Sequence, residues 1–208
     1  MSMIISPYRF AVTASGNYWN PADKASEITL SSANKTATRS STSDNAWRLI
    51  RGLTSHSTGK HYAEVVMDVN SSVVGSMCFG IANASASLTA QLGGNANGWG
   101  IQANNSGNLS IYNNGTQTGQ GSGGNAINAG GRAMVAYDAG TGKIWLGSNG
   151  AWFALGNPGA GTGANYTTTP AAVLFLALSE YNSPLACSLK NNVGENLYSI
   201  PSGFSMWG

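Results

Sequence analysis

Apolar and polar residues alternate with a period of two along short stretches of this chain, and Gly, Asn and Ser punctuate the stretches. Successive side chains leave a strand on opposite faces, so this alternation marks half-buried strands. It predicts strands over 8–14, 27–31, 46–51, 61–69, 75–82, 98–102, 109–112, 132–138, 143–147, 173–179, 186–190 and 204–207. No segment carries a 3.6-residue apolar stripe through three turns. Many short strands with dense turn signals predict an all-β chain with little helix, folded as a two-sheet antiparallel β-sandwich.

The turns are written in glycine and asparagine. NNG at 113–115 and SNG at 148–150 fit tight hairpins, because Asn-Gly supplies the two positive φ angles of a type I′ turn. Residues 139–142 fit a four-residue hairpin loop. The Gly-rich stretches 115–131 and 156–163 are expected to be long loops. No linker divides the chain. Residues 1–17 are expected to form an N-terminal arm or edge strand, and 18–208 the sandwich. In the arm Ile4, Ile5, Tyr8, Phe10 and Val12 are apolar, and the last three alternate with Arg9 and Ala11. Such a strand needs a partner, either its own sheet or another chain.

Composition narrows the function. Of 208 residues 42% are hydrophobic, which suits one globular domain, but only 9% are charged, against roughly 25% in average domains. The surface is therefore polar and nearly uncharged. A net charge of +2 without Lys/Arg runs gives no footprint for nucleic acid. No apolar run reaches the roughly 20 residues of a membrane helix, and the start, MSMIISPYRF, does not resemble a signal peptide. Synthesis in a cytosol without membrane insertion is expected. Under those conditions Cys78 and Cys187 are expected to be buried free thiols, with a disulfide as the alternative.

Three motifs invite chemistry. GTGK at 140–143 lacks the Gly six positions before the Lys and the Ser/Thr after it, so it reads as a turn and not a phosphate loop. Gly119, Gly121 and Gly124 match G-x-G-x-x-G, but no helix pattern follows. Glu64 and Asp68 share a strand face about 13 Å apart at roughly 3.3 Å per residue, beyond the roughly 5–9.5 Å of glycosidase carboxylate pairs. Glu64 is expected to be a structural acceptor. No nucleophile elbow and no metal-ligand cluster stand out, so neither catalysis nor a cofactor or metal is expected.

The stretches STGKHYAEVVMDV, MCFGIA, LGGNANGWGI, YNNG and VAYDAGTGKIWLGSNGAW resemble the SPRY (B30.2-like) domain. Gly59, Lys60, Tyr62, Glu64 and Val65 match its first motif, Gly80, Ile81 and Ala82 its second, and Trp99–Gly100 its third. Val135, Ala136, Asp138, Trp145, Asn149 and Gly150 match its last. The best-matching part covers about half the chain. Ala63, Arg132, Met134 and Tyr137 depart from the pattern and alter packing detail. The flanks YWNPADKASEITLSSANKTAT and PSGFSMWG resemble versions found in bacteriophage structural proteins.

The resemblance implies a concanavalin-like sandwich that binds other proteins through loops at one end. It implies a virion structural protein, a capsid decoration, fibre or tail component, with other virion proteins as partners. It leaves room for a homo-oligomer. Its relatives include lectins, so a module for a host glycan or receptor is the alternative. On either reading Asn95, Asn97, Trp99, Asn104, Asn105 and Tyr112 are the candidate ligand-binding residues, because amides and an aromatic suit a neutral polar partner. The arm residues Ile4, Ile5, Tyr8, Phe10 and Val12 are the candidate docking strand. Trp145, on the face opposite Ile144 and Leu146, is expected to pack against its sheet.

Overall fold

The computed structural model describes residues 18–39, 44–69, 76–103, 109–121, 127–182 and 185–208. The expected strand 8–14 and the arm residues Ile4, Ile5, Tyr8, Phe10 and Val12 lie outside the described residues.

Two sheets stack face to face. The front sheet runs in the order β1 (Trp19–Lys24), β4 (Trp47–His56), β14 (Leu174–Tyr181), β6 (Ser76–Ala82), β7 (Gly98–Ala103), β8 (Leu109–Asn113) and β9 (Thr116–Gly121). The back sheet runs β12 (Ala151–Trp152), β11 (Lys143–Ser148), β10 (Arg132–Asp138), β5 (Lys60–Val69), β15 (Leu185–Lys190), β3 (Thr36–Arg39) and β2 (Ile28–Ser31). Two short strands join the back sheet off this path: β13 (Tyr166–Thr167) pairs with β11, and β16 (Ser205–Met206) pairs parallel to β5. Every other pairing is antiparallel. The only helical turn among the described residues is Phe153–Leu155. The all-β antiparallel sandwich expected from the alternation is the fold observed.

Side-chain parity builds the core. Phe79 and Ile81 of β6, Ile101 of β7, Ile111 of β8 and Leu174, Leu176 and Leu178 of β14 face inward. They meet Ala63, Val65 and Met67 of β5, Ala133, Val135 and Tyr137 of β10, and Ile144 and Leu146 of β11. Each buried Ile or Leu contributes about 1.5–3 kcal/mol through its removal from water. The hairpin turns follow their sequence: Asn114 and Gly115 have φ of 52° and 70°, and Asn149 and Gly150 have 46° and 86°.

The outer faces are also covered. On the front sheet Cys78, Ala82 and Ala177 form a small-residue floor, and Leu92 from the 83–97 connection packs on it. A Cβ at Gly100 would come within 2.5 Å of Cys78 Sγ and 3.0 Å of Leu92 Cγ, so the floor is cut to fit that leucine. On the back sheet Tyr62, Met134, Ala136, Trp145 and Met206 form a second cluster, roofed by Trp152, Tyr198, Ile200 and Phe204. Trp145 is fully buried there and its Nε1 donates to Thr162 O at 2.8 Å, so it packs against the sheet as expected. Cys78 and Cys187 are both buried and unbridged, on opposite sheets.

The sequence reading differs from the structure at the sheet edges. Residues 116–121, expected to belong to a long loop, form β9. Strands β1, β3, β12 and β13 were also absent from the expected set. These strands are two to six residues long, too short or too polar for the alternation to stand out.

Gly80 carries a direct prediction. A Cβ there would lie 2.1 Å from Trp99 O on the neighbouring strand, and backbone cannot yield as a side-chain tip can. Gly80→Ala is expected to lower the unfolding free energy by about 1–3 kcal/mol, read from the midpoint of urea denaturation.

Candidate binding surface

The 83–97 connection is long but not loose. Asn83 starts it: its backbone N–H donates to Asn97 O and its Nδ2 to Asn97 Oδ1, both at 3.0 Å. Its own Oδ1 accepts Ser85 N–H at 2.9 Å, an Asx turn that this residue type favours. Asn95 Oδ1 accepts Asn97 N–H in a second such turn, at 2.9 Å. The loop is tied to the sheet through Leu49 N–H to Leu88 O and Leu92 N–H to Ser179 Oγ, at 2.8 and 2.9 Å. Arg51 reaches across to Ala86 O while gripping both oxygens of Asp23, each at 2.7 Å. The far side is fastened to the β8–β9 turn by Asn114 N–H to Asn95 O and Gly115 N–H to Gly93 O. A surface fixed in this way loses little entropy when a partner binds.

Beside the loop, β7, β8 and β9 present a row of uncharged polar side chains outward. Gln91 Nε2 donates to Gln102 Oε1 at 3.1 Å. Gln102 stands opposite Ser110 in the ladder. Ser110 Oγ accepts Gln117 Nε2 at 2.7 Å, and Tyr112 Oη donates to Gln117 Oε1 at 2.9 Å. Burial, then the nearby Cys78, raises the Tyr112 phenol above its ordinary pKa, so it remains a neutral donor. The row supplies donors, acceptors and one aromatic ring, without a formal charge.

The expected ligand residues are distributed over this region. Asn95 and Asn97 are half-buried, and their amide oxygens are used inside the loop. Tyr112 lies on the outer face beside them and its ring is half-buried. Trp99 is 8% exposed and packs in the main core, so its ring offers no open platform. Asn104 and Asn105 lie outside the described residues. Gln91, Gln102, Ser110 and Gln117 were not anticipated. Gln102 and Ser110 had a readable signal, since each is the polar neighbour of an inward isoleucine, Ile101 and Ile111.

The carboxylates serve the fold. Glu64 is fully buried and accepts Tyr62 Oη at 2.7 Å, Leu197 N–H and Tyr198 N–H at 3.0 Å each, and Arg132 Nη1. It is the structural acceptor expected. Burial, and then that carboxylate, pushes the Tyr62 phenol far up. In the GTGK stretch Asp138 Oδ1 accepts Gly140 N–H and Lys143 Nζ donates to Gly161 O, so the stretch is a braced turn.

Glu180 behaves differently. It shares the inward parity of Leu174, Leu176 and Leu178, and is completely buried with neither carboxyl oxygen hydrogen-bonded among the described residues. Buried Arg39 is close by, but its Nη1 donates to the Glu180 backbone oxygen at 3.0 Å and its Nη2 pairs with Asp44. Burial raises the Glu180 carboxyl to about 8, and the Cys187 thiol and Arg39 lower it only in part.

With this geometry established, the fold can be compared with known structures. No protein-family model and no curated protein matches the chain. Solved structures do. The SPRY domain of human HERC1 superimposes with a TM-score of 0.63 at 17% identity, covering 82% of this chain and 96% of that one. The fold is SPRY-like. The PSpry domain of TRIM65 matches with a TM-score of 0.57 at 14% identity, over 84% of this chain and 91% of that chain. Stonustoxin matches at 0.59 and 14% over 83% of this chain, which spans only 28% of the toxin chain. At these identities the likeness concerns the fold.

Glu180 gives a pH prediction. The unfolded carboxyl ionises near 4.5 and the folded one near 8, so folding retains a proton between those values. Stability from this group is complete below pH 4.5 and is lost as pH rises through the window. Glu180→Gln removes the titration. The variant is expected to gain on the native protein by roughly 3 kcal/mol between pH 4.5 and pH 7, measured as the difference in urea unfolding free energies at the two pH values. A constant difference would refute the buried neutral acid.

Proposed function

We propose that this chain is a bacteriophage virion structural protein, a capsid decoration, fibre or tail component, whose SPRY-like sandwich docks on other virion proteins. The observation that carries this reading is the fixed, uncharged surface formed by the 83–97 loop and the Gln91–Gln102–Ser110–Gln117–Tyr112 row. Contacts made by amides and hydroxyls on a rigid frame form without charge pairing and depend little on salt. The SPRY-like fold supports a role in protein interaction, and the flanking motifs at 18–38 and 201–208 support the phage assignment. The apolar positions of residues 1–17 suit strand addition to a neighbouring subunit, where backbone hydrogen bonds supply the affinity.

Particles purified from the lysate that yields this protein are expected to contain it at a fixed ratio to the major capsid protein, by quantitative mass spectrometry. Deleting residues 2–14 is expected to leave the unfolding midpoint unchanged and to abolish incorporation. Absence of the chain from particles overturns the virion reading. A collapse of stability on deletion assigns the arm to its own sheet.

The same row favours one second reading, a carbohydrate-binding module, because Tyr112 sets an aromatic edge among amides that both donate and accept. On that reading a glycan array shows a saturable ligand. Tyr112→Ala then weakens it about tenfold or more, equivalent to about 1.4 kcal/mol, with folding intact.

A further inference from the structure

Three residues from distant parts of the chain meet where the turn between β2 and β3 touches the segment after β15. Lys35 Nζ lies 2.6 Å from Asn191 Oδ1 and 3.2 Å from Glu195 Oε2. A carbonyl bond is about 1.2 Å long, so Nζ is no more than about 3.8 Å from the Asn191 carboxamide carbon. Asn191 is completely buried, and its Nδ2 has no hydrogen-bond partner among the described residues. An orphaned buried amide of this kind is uncommon and calls for a reason.

The backbone fixes all three. Lys35 N–H donates to Ser32 O at 3.1 Å, and Lys35 O accepts Leu189 N–H at 2.9 Å. Asn191 O accepts Gly208 N–H at 3.1 Å. Glu195 Oε2 accepts the N–H groups of Asn191 and Asn192 at 3.2 and 3.1 Å. The amine, the carboxamide and the carboxylate are therefore held together before any reaction begins, which replaces a bimolecular encounter by a unimolecular step.

We propose that this triad is a self-modifying site, in which Lys35 Nζ and Asn191 Cγ join in an isopeptide bond with Glu195 relaying the proton and ammonia leaving. Glu195 first takes a proton from the Lys35 ammonium. The freed amine pair attacks Cγ, and the carbonyl electrons move onto Oδ1. The tetrahedral centre collapses, the Cγ–Nδ2 bond breaks, and Nδ2 departs as ammonia with protons relayed from Nζ through Glu195. The net change is one amine and one primary amide giving one secondary amide and ammonia, with no oxidation or reduction and no co-reactant.

The electrostatics bear on both partners of the transfer, favourably at Lys35 and unfavourably at Glu195. Burial and then the Lys190 charge lower the Lys35 amine against the opposing pull of Glu195, which eases its deprotonation. Burial alone raises the Glu195 carboxyl, but Asn192 N–H, Lys35 and Asn191 N–H together bring it below its ordinary value, so it stands as an anion beside the amine and is a weaker base than a free carboxylate. The unpartnered Nδ2 is the atom the reaction expels. The bond joins residues 156 positions apart, tying an N-terminal hairpin to the C-terminal segment, and it does not depend on the docking reading.

Intact-mass spectrometry of the purified, fully folded protein tests this. The native chain is expected to weigh one ammonia less than its sequence. A proteolytic digest should contain a branched peptide joining residues 35 and 191, which separates this bond from succinimide formation at an Asn-Gly turn. Lys35→Arg preserves the ion pair but offers no nucleophilic amine, and Glu195→Gln preserves hydrogen bonding but removes the proton relay. Both variants are expected to show the full sequence mass. Full mass in the native protein after prolonged incubation, with residues 35 and 191 in separate linear peptides, overturns the proposal. So does ammonia loss that persists in Lys35→Arg.

Discussion

The back sheet depends on one buried carboxylate. Glu64 sits on the outer face of β5, the strand to which β10, β15 and β16 all attach. An ionised carboxyl without partners in that position would cost several kcal/mol. Four donors prevent this, and two of them are backbone N–H groups of Leu197 and Tyr198. Those two bonds fasten the segment that carries Tyr198, Ile200 and Phe204 over the aromatic outer cluster. Arg132 Nη1 also donates to Glu195 O at 3.0 Å, so the same arginine holds the carboxylate and the segment. The polar hub thus determines where the apolar roof lies.

The front sheet solves the same problem by shape. Its outer floor is made small by Gly80, Gly98, Gly100, Ala82 and Ala177, which lets a connection lie directly on the strands. The connection then brings its own amides to the surface beside the β7–β9 row. Covering the sheet and building a polar face are one act of folding. Rigidity comes with it, since Leu92 is locked into the floor and the loop cannot lift without exposing it.

The clearest part of the sequence was the β10–β11 hairpin. Ala133, Val135 and Tyr137 alternate against polar or outward neighbours, the 139–142 turn is rich in glycine, and the observed register pairs Val135 with Leu146 and Tyr137 with Ile144. The edges were less legible. In β3 Thr36 and Thr38 flank Ala37, and in β9 Gln117 and Thr118 offer no apolar residue, so tertiary pairing fixes what the local pattern does not. The candidate surface was half visible: its loop and Tyr112 were marked by composition, whereas the burial of Trp99 follows from its parity with Ile101. Glu180 shares the inward parity of Leu174, Leu176 and Leu178, but parity alone does not mark a buried carboxyl, because that residue type is rarely buried unpaired. The Lys35–Asn191–Glu195 cluster has no local signature, because Lys35 is 156 residues from Asn191.

The parallel pairing of β16 with β5 bears on how the chain is made. Trp207 lies in the core, its N–H on Tyr62 O and its Nε1 on Thr54 O. During synthesis β5 is complete long before β10, β15 and β16 have left the ribosome. A nascent chain therefore carries a central strand, apolar on its inner face, with both edges bare until β10 is made and one edge bare until β15 and β16 follow. Pairings of such long sequence separation form slowly, and bare edges recruit other chains. The yield of high-level expression therefore depends on what shields the edges of β5 until β10 and β15 are made.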